Sequence, residues 1–77
     1  MKEEYKIYYL RIGARIKHYR TKAHLTQQQL AERIGKSATY IGHLEAQGVC
    51  KVPSLDTLLD ISRVLQVPLH FLTHVEE

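Results

Sequence analysis

The chain has 77 residues, 44% of them hydrophobic, which is enough for one small domain with an economical core. No apolar run approaches the roughly 20 residues a membrane-spanning helix needs, and the charged, tyrosine-rich start MKEEYKIYY does not read as a signal peptide. One cysteine, Cys50, allows no internal disulfide and suits a reducing cytoplasm. The net charge of +3 is unevenly spread. Residues 1–51 hold ten Lys/Arg against four Asp/Glu, whereas 52–77 hold Arg63 against Asp56, Asp60, Glu76 and Glu77. A basic half of this kind fits a phosphate-facing surface with the acidic half turned away.

The first predicted helix runs from about Glu3 to Lys22, with Ile12, Ile16 and Tyr19 forming an inward stripe. Tyr5, Tyr8 and Tyr9 lie upstream on an extension, either packed on the core or forming a partner surface. Residues 26–45 then read as two short helices joined by a tight turn. Thr26 with Gln29 makes a capping box; Leu30, Ala31 and Ile34 supply a buried face; Gly35 is suited to a left-handed helix stop. Ser37 caps the next helix, whose inner face carries Ile41 and Leu44. Helices this short are not stable alone. A helix-turn-helix, whose second helix enters a DNA major groove, is an arrangement that requires them.

Gly48 and Pro53 mark the stretch after Glu45 as a loop. Ser54 caps the most apolar helix, in which Leu55, Leu58, Leu59, Ile61, Val64 and Leu65 are expected to centre the core. Pro68 ends it and opens a last short helix from Leu69 to about His74. The expected fold is all-α, with five helices.

Three segments together, IGARIKHYR (12–20), LTQQQLAERIGKSATYIGHLE (25–45) and PSLDTLLDISRVLQV (53–67), resemble the phage repressor and Cro-type (XRE-like, lambda-repressor-like) helix-turn-helix family. The resemblance spans about Ile12 to Leu72, leaving residues 1–11 as an N-terminal extension and 73–77 as a tail. It implies a compact five-helix domain that binds double-stranded DNA as a homodimer on a two-fold-related operator.

Matched by position, Gln27 stands where the family places a phosphate-binding glutamine, at a helix start that also suits an anion. With Ile41 and Leu44 turned inward, Ser37, Ala38, Thr39, Gly42 and His43 are the expected base-reading positions. The set is sparse. Ala38 offers a methyl contact, Thr39 a short hydroxyl, and His43 is the one long polar reader, so DNA shape is expected to share in specificity. Tyr40 reads equally well as a phosphate contact or as a half-buried aromatic. Lys36 and Lys51 are further phosphate candidates. Arg20 and Glu45 match a family ion pair that fixes the recognition helix against the first helix. Dimer contacts are expected from Phe71, Leu72 and Val75, or else from the N-terminal tyrosines.

Other chemistries find little footing. His70 and His74 have the spacing of a metal pair, but nothing at motif spacing completes a four-ligand set. Cys50 beside Lys51 reads as a bystander thiol before it reads as a redox sensor. No phosphate-cradling loop, paired carboxylate or nucleophile–base arrangement is present, so no enzyme, cofactor or metal is expected. The rival reading is the same fold used as an antitoxin or anti-regulator whose partner is a protein.

Overall fold

Capping chemistry divides the chain into its helices. The computed structural model describes residues 1–74. A 3₁₀ turn, Glu3–Tyr5, leads into α1 (Lys6–Lys22), followed by α2 (Gln27–Ile34), α3 (Ala38–Glu45), α4 (Leu55–Leu65) and α5 (Leu69–Thr73). There is no strand among the described residues. At the start of α2 the Gln29 N–H donates to Thr26 Oγ1 at 3.0 Å, and the Thr26 N–H donates to Gln29 Oε1 at 2.8 Å. This reciprocal pair satisfies two donors that the first turn leaves open. Gly35 stops the helix at φ 69°, ψ 32°, a left-handed conformation that costs glycine little. Ser37 and Ser54 accept hydrogen bonds from the Tyr40 and Thr57 amides and so begin α3 and α4. Gln66 closes α4 at φ 57°, a left-handed stop made without glycine.

The core comprises Ile16, Leu30, Ala31, Ile41, Leu44, Leu58, Ile61, Leu65 and Leu72. α3 lies across α1 and α2, α4 packs on α2 and α5, and α5 returns to α1. Ile16 is wholly buried, with Ile12 and Tyr19 packed against the cluster beside it. Full burial of a leucine is worth about 1.5–3 kcal/mol, so this interior of branched aliphatics is the main source of cohesion.

Two expectations are corrected here. Leu55 and Leu59 do not join the core but face outward, because a helix lying on one side of its core cannot bury residues around its whole circumference. Leu72, expected at a dimer surface, has no exposed area at all and is spent on the protomer's own interior. Phe71 is half-buried against Tyr19, with ring centroids 5.6 Å apart, and its carbonyl accepts from Arg15 Nε. Val75 lies outside the described residues.

Candidate nucleic-acid interface

The site is built around one buried carboxylate. Arg20 of α1 donates to Glu45 at the end of α3 through Nε (2.7 Å, to Oε2) and Nη2 (2.9 Å, to Oε1). Its third donor, Nη1, reaches the Leu25 carbonyl at 2.7 Å. Arg20 is 8% exposed and Glu45 6%, so the pair is shielded from water. Fork-on-carboxylate geometry suits such a place because two parallel bonds fix direction as well as distance. The hydrogen bond and the charge of Glu45 raise the pKa of the Arg20 guanidinium, against the opposing effect of burial. Arg20 and Glu45, distant in sequence, are thus brought together, and they clamp α3 to α1.

Glu45 holds a third group. Gln27 Nε2 donates to Glu45 Oε1 at 3.1 Å, which lays the Gln27 side chain along α3. Gly42 lies beside it: a Cβ there would make ordinary contact, 3.5 Å from Gln27 Oε1. Gly42 is half-buried and runs alongside the Gln27 amide, at the edge of the outward face of α3. Beside Gln27, the amides that open α2 have no acceptor inside the helix, a chemistry that suits an anion.

The outward face of α3 belongs to Thr39 and His43, both exposed and one helical turn apart. Among the described residues neither side chain makes a hydrogen bond within the chain. Ala38 is half-buried on the flank toward Gln27, and the Ser37 oxygen is engaged as the helix cap.

The opposite flank of α3 gathers positive charge. Tyr40 is half-buried; Lys36 Nζ lies 5.3 Å and Lys51 Nζ 5.6 Å from its ring centroid. Cation–π attraction thus draws a lysine from the α2–α3 turn and one from the loop after α3 to a single ring. Two ammonium groups brought to one ring make this flank positive, and a DNA phosphate is an anion of the kind it would attract. α3 thus turns Thr39 and His43 outward, with Gln27 on one flank and Lys36, Tyr40 and Lys51 on the other. His70 and His74 are exposed at the far end of the fold, and no cluster of metal-ligating side chains occurs among the described residues.

The close approach of α1 to α3 was not foreseen. Gly13 is buried with its Cα directly against the Leu44 carbonyl oxygen, which leaves no room for a side chain. The signal was present, since a glycine inside a helical pattern marks a close backbone approach as readily as a weak point.

Comparison with curated proteins gives no match. A family model described as Helix-turn-helix, HTH_3, matches residues 16–72, which take in the core from Ile16 to Leu72, the last part of α1 and the whole of α2, α3 and α4. With that match joined to the capped α2–α3 pair and its buried clamp, the chain belongs to the Cro/repressor-type helix-turn-helix family of DNA-binding proteins.

Proposed function

We propose that this protein is a cytoplasmic, sequence-specific transcriptional repressor that binds a palindromic operator as a homodimer. The observation that carries the reading is the composition of the α3 surface. Thr39 and His43 face outward, with Gln27 on one flank and the Lys36–Tyr40–Lys51 cluster on the other. An α-helix in a major groove needs this division: groups of uniform chemistry for the two phosphate walls and variable groups for the base edges between them. In this reading Ser37, Ala38, Thr39 and His43 meet bases, Gly42 lies beside Gln27, and Gln27, Lys36, Tyr40 and Lys51 meet phosphates. One α3 covers only a few base pairs. Two copies set roughly 34 Å apart, one turn of DNA, give useful affinity and make the site palindromic.

The test is selection from random duplexes, followed by titration of the enriched sequence over a range of salt. The expected result is an inverted-repeat consensus, with affinity that falls linearly in log[salt]. Failure to enrich any sequence overturns the reading. The short side chains at positions 38 and 39 favour one rival, a module of the same fold whose main partner is a protein. That rival gains if binding to DNA stays weak and indifferent to sequence.

A further inference from the structure

α4 carries a face that the fold leaves unused. Leu55 is 60% exposed and Leu59 40%, and their four-residue spacing sets one above the other along the helix. Beside them run Asp56, Asp60 and Arg63, all exposed. Among the described residues the one salt bridge is Arg20–Glu45, so none of these three charges is answered. Acid near the start of a helix and base near its end also suit the helix dipole, which accounts for the charges but not for the two leucines.

The order of the signs matters more. Asp56 sits toward the N-terminal end of α4 and Arg63 toward the C-terminal end, with Leu59 between them. A helix with that order is complementary to itself turned end for end. About a two-fold axis between Leu59 and Asp60, Asp56 of one copy falls opposite Arg63 of the other, and symmetry repeats the pair, while Asp60, about 100° round the helix from Leu59, stays at the wet edge of the seam beside its symmetry mate. Leu55 and Leu59 lie along the same seam. We propose that a second copy of this chain docks here, α4 against α4 and antiparallel, with the leucines at the centre and reciprocal Asp56–Arg63 pairs at the rim. The surface expected from sequence is poorly suited to the task, because Leu72 is wholly buried and Phe71 is engaged with Tyr19 and Arg15.

The inference rests on the homodimeric reading above, and its test separates the two. Sedimentation of the full chain is compared with that of Asp56→Arg, Arg63→Asp and the double variant. Either single change sets like charges opposite each other twice, so self-association weakens by about tenfold or more; the double change reverses both signs and restores it. Leu59→Lys gives a monomer. A Leu59→Cys, Cys50→Ser variant cross-links to a dimer on mild oxidation. These positions are exposed, and thermal melts of each variant show that the fold is kept. A dimeric parent whose association is unmoved by the single changes, or not restored by the double one, overturns the α4 interface and leaves the homodimer standing. A parent that stays monomeric at high micromolar concentration, both free and on an inverted repeat, overturns the interface and the homodimer together. Binding to a single half-site duplex needs no dimer and reports on DNA recognition independently.

Discussion

Gly13 of α1 and Leu44 of α3 meet backbone to backbone, with the glycine Cα set against the leucine carbonyl oxygen. No side chain fits between them. This contact fixes how closely the recognition helix lies on the first helix, ahead of any interaction between side chains. Gly13→Ala is therefore expected to destabilise the fold by about 3 kcal/mol, at the severe end of overpacking, because the obstruction is main chain and cannot rotate away. Urea denaturation measures it. Gly48→Ala, in the open loop, is the matched control, since a methyl there meets nothing within 4 Å.

Glu45→Ala is expected to cost about 3–5 kcal/mol, since it leaves the Arg20 guanidinium buried without its counter-charge. Arg20→Ala is expected to be similar. The double change Arg20→Met, Glu45→Leu costs less than either single change, because no uncompensated charge remains. A chemical-denaturation cycle over the four proteins reads the coupling directly. The raised pKa of Arg20 sets the sign of any pH effect. Its stabilisation is complete below the ordinary arginine pKa and is lost only as pH climbs through the raised value. The Arg20 contribution is thus flat across neutral pH.

Gly42→Ala tests what that glycine is for. The added methyl makes ordinary contact with the Gln27 amide at 3.5 Å, and alanine is the better helix former by up to about 1 kcal/mol. The expected outcome is a higher melting temperature with base discrimination unchanged. A shift in preferred sequence would instead place position 42 at the base edges.

Readers and positioners separate under titration with DNA. Lys36→Ala and Lys51→Ala are each expected to weaken binding to all sequences alike and to reduce the salt slope by about one. His43→Ala and Thr39→Ala are expected to cost about 1–3 kcal/mol on the preferred site and much less on others, which relaxes specificity at the bases concerned. Fluorescence anisotropy on matched and mismatched duplexes, at several salt concentrations, gives both quantities.

Much of the fold was legible because its signals are local. The Thr26–Gln29 box, the Gly35 stop and the caps at Ser37 and Ser54 each depend on residues within a few positions of one another. What was not legible depends on residues far apart. Six apolar side chains of α4 look alike in sequence, and only the placement of α2 and α5 decides that Leu58 turns inward while Leu59 turns out. Leu72 looked like a surface anchor until α5 was seen to fold back on α1. The tether from Gln27 to Glu45 had no sequence signature, since glutamines at helix starts are usually solvated. At the interface the residue types were readable, but the gathering of Lys36 and Lys51 on Tyr40 needed the path of the loop.

The outward pair on α3 has one more consequence. Among the described residues, Thr39 and His43 make no hydrogen bond with the rest of the chain, whereas Leu44 and Glu45 are held against α1 on the inner side of the helix. In the proposed reading the domain keeps its address on a removable plate. Rewriting positions 39 and 43 would then send the protein to a different stretch of genome without asking the scaffold to refold, so binding preference could drift while stability stayed where it was.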